Sequence, residues 1–236
     1  MKICMIGTGY VGLVSGVCFA DLGNEVICVD KKKDKIETLK SGKSPIYEPG
    51  LDELIKKNYN SGRLIFTTDL KKAVNSSDII FVCVGTPTKR GSLKVDLSYV
   101  YKSIKEIISL TKNRKIIVTK STVPVGTCLE IKKIIKKHNR NAKFDVVSNP
   151  EFLREGSAIE DFMRPNRVIV GFENEKSKKI MENIYQPLNL IQTPILFTDL
   201  KSAELIKYAS NAFLALKISF INQMADLCES LNTDIH

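Results

Sequence analysis

The sequence has no tryptophan and only two histidines, His138 and His236, far apart in the chain. Its six cysteines (Cys4, Cys18, Cys28, Cys83, Cys128, Cys228) form no CxxC pair and no cluster with histidine. The closely spaced Cys, His or carboxylate ligands of a structural or catalytic zinc site are therefore missing, and no metal is expected. Cys4, Cys28 and Cys83 lie in apolar strand-like runs. They read as small buried hydrophobes in a reducing compartment, which makes the cytoplasm the expected location. No apolar stretch approaches the ~20 residues that span a bilayer, so no membrane partner is expected. The apolar start of the chain is broken by glycines at 7, 9, 12 and 16, unlike the core of a signal peptide. The net charge of +10 raises the question of nucleic acid. The lysines, however, are spread along the chain and no basic stripe interleaves with aromatics, so no nucleic-acid partner is expected. The charge remains useful for drawing in an anionic substrate.

Hydrophobic residues make up 43% and charged residues 26% of the 236 positions, an ordinary globular balance. That length suits one large domain, or one domain and the start of a second. Strand-like runs fall at 2–6, 25–29, 78–84, 115–119, 144–148 and 167–171. Helical patterns fall at 10–22, 31–40, 51–58, 97–110, 126–137 and 174–185. A turn-rich loop occupies 41–50, and 186–194 reads as a connection. Strands alternating with helices predict an α/β fold with a mostly parallel sheet. The last segment differs. Residues 200–231 contain neither proline nor glycine and predict one helix on the order of 45 Å long. Its apolar residues occupy more than one face, so a second domain or a partner should cover what the sheet does not. The expected organisation is a dinucleotide-binding domain at 1–199 and a long linking helix at 200–236.

Gly7-Thr8-Gly9-Tyr10-Val11-Gly12 follows the first strand and opens the first helix. Gly7 permits the tight turn, Gly9 admits a pyrophosphate to the backbone, and Gly12 allows close helix–strand packing. The helix N-terminus offers free N–H groups to phosphate. The next strand ends in Asp30, 18 residues after Gly12, placed to bind a ribose diol and to repel a 2′-phosphate. This favours NAD over NADP, against the pull of Lys31–Lys33 and Lys35, any of which could neutralise that phosphate. Together these features make the sheet a doubly wound, Rossmann-type one. The turns at 84–88 and 121–126 follow later strands and should face the same crevice.

After the fifth predicted strand comes Asn149-Pro150-Glu151-Phe152-Leu153-Arg154-Glu155-Gly156. If this segment is helical, Glu151 and Glu155 share a face. They are then either a general base with a polar anchor or a solvated helix start. On the long helix, Lys207 and Asn211 are also four apart. They make either an oxyanion site or a snorkelling lysine with a neighbouring amide. Cys128, near a helix start, is the cysteine a helix N-terminus would acidify.

With these residues in view, the sequence resembles the UDP-glucose/GDP-mannose dehydrogenases, and their UDP-glucose branch in particular. The matching blocks are 2–12, 44–51, 81–88, 120–126, 148–158, 165–171 and 204–224. The resemblance implies a four-electron oxidation of UDP-glucose to UDP-glucuronate with two hydride transfers to NAD, through a thiohemiacetal and a thioester on a cysteine. It implies cofactor contacts from Gly7, Gly9, Tyr10, Val11, Gly12, Asp30, Lys35, Thr86, Thr122 and Glu155. It implies substrate contacts from Glu151, Phe152, Leu153, Arg154, Glu155, Lys207 and Asn211. Glu151 would be the general base for thioester hydrolysis, Thr122 would place the water, and Lys207 and Asn211 would stabilise oxyanions. The family's nucleophile sits in a Gly-Gly-x-Cys segment beyond the long helix, which this sequence does not contain. The chain is thus expected to bind NAD without turning over UDP-glucose alone, and to form a homodimer through the long helix. Action on GDP-mannose and a non-catalytic NAD-binding module are the competing readings.

Overall fold

The computed structural model describes the chain except residues 93, 112, 139–142 and 236, with the backbone alone at 189–191. In chain order its elements are β1 (Lys2–Ile6), α1 (Tyr10–Asp21), β2 (Glu25–Val29), α2 (Lys33–Lys40) and α3 (Leu51–Asn60). Then come β3 (Leu64–Thr67), α4 (Leu70–Ser76), β4 (Ile79–Val82), α5 (Ser98–Leu110), β5 (Lys115–Thr119) and α6 (Thr127–His138). The remainder is β6 (Phe144–Ser148), α7 (Ala158–Met163), β7 (Val168–Gly171), α8 (Glu175–Tyr185), β8 (Ile195–Thr198) and α9 (Leu200–Leu231). His236, the last residue of the expected linking-helix unit, lies outside the described residues.

Among the described residues eight strands make one sheet in the order β3-β2-β1-β4-β5-β6-β7-β8. β1 to β6 are parallel. β7 pairs antiparallel with β6 at Ser148↔Gly171, and β8 runs parallel to β7. The inner strands are continuous apolar runs, as strands covered on both faces must be: every residue of β4 and β5 is buried. One apolar cluster around Phe19, Phe81 and Tyr185 fills one side of the sheet. A second, around Ile80, Ile104 and Ile131, fills the other.

The strands and α-helices absent from the sequence reading are β3, α4, α7 and β8, and the connection at 186–194 contains a 3-10 helix, Gln186–Ile191. β3 and β8 are the two edge strands. Each has four residues and leaves part of its surface exposed, so neither shows the long apolar run that marks β4 or β5. α4 and α7, of seven and six residues, are too short to display a helical period. The helix expected over 31–40 begins at Lys33, and that expected over 126–137 begins at Thr127.

α9 crosses the sheet edge at close range. A Cβ on Gly171 would lie 2.7 Å from Ala203 Cβ, so β7 and α9 approach where only glycine fits. Asp199 caps α9, accepting from the Ser202 amide at 3.0 Å. Glu204, buried, accepts from the amides of Gly126 (2.6 Å) and Cys128 (2.7 Å) and so ties α9 to the start of α6. Within α9 only Leu200, Ala203, Glu204 and Lys207 are buried. Phe213, Leu216, Ile218 and Phe220 are each more than half exposed.

Candidate active site

The turn after β1 is shaped by its three glycines. Gly7 has φ +94°, and a Cβ there would press within 2.9 Å of the Cys83 carbonyl oxygen. A Cβ on Gly12 would meet the Gly7 carbonyl oxygen at 1.9 Å, so α1 lies directly against its own turn. Gly9 is the opposite case: nothing stands within 4 Å of its missing Cβ, and the space beside the first amides of α1 is open. Open space before free helix N–H groups is what a pyrophosphate needs, and the turn fits a dinucleotide. Val11 is half-buried as α1 begins.

Asp30 closes β2 beside this turn. Its Oδ2 accepts from the Thr8 amide (3.1 Å) and hydroxyl (2.7 Å), and its Oδ1 from the Lys32 amide (3.1 Å). Burial raises the carboxyl's pKa, but these donors outweigh it and hold Asp30 below the usual carboxylate range. Oδ1, with one donor, keeps room to accept a ribose hydroxyl. Lys35 reaches Oδ2 at 3.5 Å and Lys31 pairs with Glu106 at 3.0 Å, so two of the four nearby lysines already face carboxylates.

The two later turns meet. Thr86 Oγ1 donates to the Thr122 carbonyl at 3.0 Å, and Ser121 Oγ donates to the Val84 carbonyl at 2.7 Å. Thr86 and Thr122 are both half-buried at the carboxyl end of the parallel strands, on the cofactor side.

The segment after β6 is not helical, which corrects the expectation that Glu151 and Glu155 share a helix face. Glu151 turns back and accepts from the Leu153 amide at 2.6 Å, a local bond that competes with helix formation. The helix starts only at Ala158, where α7 finds an external acceptor for its amides. Glu151 Oε1 instead meets Lys207 Nζ at 3.0 Å, with side chains 12% and 7% exposed. Lys207 is thus an inward ammonium on a carboxylate, not a snorkelling surface lysine. Phe152 lies beneath both Lys207 (5.0 Å) and Arg167 (4.4 Å). Arg167 in turn donates to Ser210 one turn along α9, at 3.3 Å.

The remaining predicted substrate residues are placed differently. The Arg154 side chain folds back on Asp161 (2.7 Å), and the Arg154 amide bonds the same carboxylate (2.8 Å). Leu153 is half-buried, and Glu155 is exposed. Asn211 is exposed, one turn beyond the last buried residue of α9. Cys128 is overturned as an acidified thiol. It is fully buried, and burial together with the Glu204 carboxylate pushes its pKa well above the ordinary value.

Two residues outside the predicted set stand in the site. Lys120, between β5 and the Thr122 turn, is buried, and among the described residues its ammonium donates to neutral groups: Asn149 Oδ1 at 3.3 Å and Tyr185 Oη at 3.4 Å. It shares with Glu151, Phe152 and Arg167 a cavity of about 40 Å³. Glu48, in the 41–50 loop, is buried at the start of α7, where it accepts from the amides of Gly156 (3.0 Å) and Ala158 (2.8 Å). The signal for Lys120 was a lone lysine at the end of an otherwise apolar run. Glu48, flanked by Tyr47 and Pro49, gave none beyond its place in a matching block.

A glycine turn open toward phosphate, with a ribose-side carboxylate closing the next strand of a parallel sheet, defines the dinucleotide-binding domain of a dehydrogenase. Residues 1–189 match the model of the UDP-glucose/GDP-mannose dehydrogenase family, NAD binding domain, and 201–236 match the family's central domain. The chain belongs to this family, and its cofactor is NAD. It is 56% identical over 237 residues to a UDP-glucose 6-dehydrogenase of Rhizobium meliloti, covering all of this chain and 54% of that protein. It is 51% identical to the UDP-glucose 6-dehydrogenase TuaD of Bacillus subtilis, covering 99% of this chain and 50% of that one. A GDP-mannose dehydrogenase from Pseudomonas aeruginosa superposes with TM-score 0.93 at 37% identity, over 99% of this chain and 54% of the other. A UDP-glucose dehydrogenase from Pyrobaculum islandicum gives 0.91 at 40%, over 98% and 54%. The chain spans about half the length of the curated relatives it matches.

Proposed function

We propose that this chain is the cofactor half, residues 1–199, and linking helix, 200–236, of an NAD-dependent UDP-glucose 6-dehydrogenase. The observation that carries the reading is the largely shielded Glu151–Lys207 pair, with Phe152 beneath the ammonium. NAD, when bound on the glycine turn, supplies the hydride acceptor for the sugar alcohol. Asp30 and Lys35 hold its ribose side, and Thr86 and Glu155 face it from the neighbouring loops. Glu151 acts as the general base toward water placed by Thr122. Lys207, with its charge held over the Phe152 ring, stabilises oxygen that becomes anionic as the sugar is oxidised. Asn211 serves the same oxygen, and Leu153 and Arg154 border the sugar.

A GDP-mannose substrate is the second reading, favoured by the TM-score of 0.93 to an enzyme of that name. Identity of 56% and 51% to two UDP-glucose enzymes supports the first. The six unpaired cysteines support a cytoplasmic location. The apolar outer face of α9 supports a homodimer through that helix. Calorimetric titration with NAD, followed by thermal shifts with UDP-glucose and GDP-mannose in the presence of NAD, tests the assignment. Heat with NAD and a larger shift with UDP-glucose are expected. A larger shift with GDP-mannose reverses the substrate, and an absence of heat with NAD removes the cofactor site.

A further inference from the structure

The side chain of Tyr10 leaves the cofactor turn and reaches the substrate segment. Its hydroxyl donates to the Glu48 carboxylate, accepts from the Gly156 amide at 2.9 Å and lies 3.3 Å from the Arg154 carbonyl. Glu48 receives, besides Tyr10, the amides of Gly156 (3.0 Å), Ala158 (2.8 Å) and Ile159 (3.4 Å). Among the described residues no cationic side chain pairs with this buried carboxylate, and its charge is met by amides of one segment and a single hydroxyl. Residues 149–157 have no regular structure of their own. One end of the segment is held by Glu151 and Lys207, the other by Glu48. Tyr10 is also the first residue of α1, whose amides face the phosphates. One residue therefore touches both subsites.

We propose that Glu48 and Tyr10 form a latch that positions the 153–159 segment and couples it to the cofactor turn. Glu48 is a positioning residue: it acts on the sugar site only through the backbone it holds. The inference rests on the assignment of the glycine turn to NAD and of residues 151–155 to the substrate. Occupancy of the turn fixes the first turn of α1, and through Tyr10 Oη it fixes Glu48 and the Gly156 amide. Cofactor binding then reduces local opening of the substrate segment before any sugar arrives.

Amide hydrogen exchange of this chain, with and without NAD at ten times each variant's own Kd, tests the latch. In the wild type, NAD is expected to slow exchange both in the 8–12 turn and, by about tenfold, in 153–159. In Glu48→Gln one oxygen becomes an amide facing the Gly156 N–H. The 8–12 turn should still gain protection while the NAD-induced gain in 153–159 is lost. Tyr10→Phe removes only the hydroxyl and should give the same result if Glu48→Gln does not fold. A purely structural role would raise exchange in 153–159 equally with and without NAD, leaving the gain intact. An unchanged gain in either variant, or no gain in the wild type at saturation, overturns the latch while leaving the cofactor assignment standing. No heat and no protection at 8–12 in the wild type overturns the assignment and the latch with it.

Discussion

The cofactor turn and the substrate segment both follow the carboxyl ends of parallel strands, β1 and β6, but are held in opposite ways. The turn is built from neighbours: Gly7, Gly9, Gly12 and Thr8 lie within six residues, and its outside support, Asp30, closes the adjacent strand. The segment at 149–157 is held by residues remote in sequence. Glu48 is about 110 positions away, Tyr10 about 145, and Lys207 lies on another element. A site made of backbone and missing side chains is robust to solvent and salt. One made of a buried ion pair and long-range carboxylate bonds depends on every partner being present, since each loss leaves an unpaired group in the interior.

Single substitutions on the two sides should break in different ways. Lys207→Met leaves the Glu151 carboxylate buried without its counter-ion, and loss of one partner from such a pair costs about 3–5 kcal/mol. Urea unfolding should show this as a lowered midpoint, and Glu151→Leu added to Lys207→Met should recover most of it. Equal midpoints for Lys207→Met and the wild type would mean the pair is solvated. Gly12→Ala drives a methyl to 1.9 Å from the Gly7 carbonyl, a clash that only backbone movement relieves. Overpacking of a core costs about 1–3 kcal/mol, occasionally more, and a clash with backbone falls at or above the top of that range. The urea midpoint should fall, and calorimetry on whatever folds should show NAD binding abolished.

The same contrast explains how much the sequence revealed. β1, β2, β5, β6 and α9 have the bounds read from the chain alone, because buried strands are apolar runs and a helix free of Gly and Pro has few other options. The cofactor turn was legible for the same local reason. What escaped was long-range or short. β3 and β8 are four-residue edges, and α7 depends on Glu48 from a distant loop for its first amides. The expected face shared by Glu151 and Glu155 failed because Glu151 bonds its own Leu153 amide. Cys128 failed because the N-terminus it approaches is already occupied by Glu204. No periodicity carries such information: α7 and Cys128 turn on partners dozens of residues away, and Glu151 on a local side-chain bond.

Lys120 gives the finest test, because it lies between the two regions and follows neither pattern. Burial pushes its pKa down from an ordinary 10.5 to about 8, with Glu151 opposing that shift and Lys207 adding to it. Below pH 8 the lysine is charged in both the folded and unfolded chain, and the folded state bears the full burden of a buried ammonium. Between pH 8 and 10.5 the folded lysine loses its proton while the unfolded one keeps it. The unfolded state then binds more protons, and stability attributable to this group rises with pH. Other groups titrate in that range, so the signal is the difference between the wild type and Lys120→Met. The methionine fills similar space, and Tyr185 still donates to Asn149 at 2.6 Å, so no partner is stranded. At pH 7 the variant should unfold at an equal or higher urea concentration. From pH 8 to 10 the wild type should gain on it steadily. Parallel curves over that range would mean that Lys120 titrates alike in both states, and that the cavity it shares with Glu151 is wet.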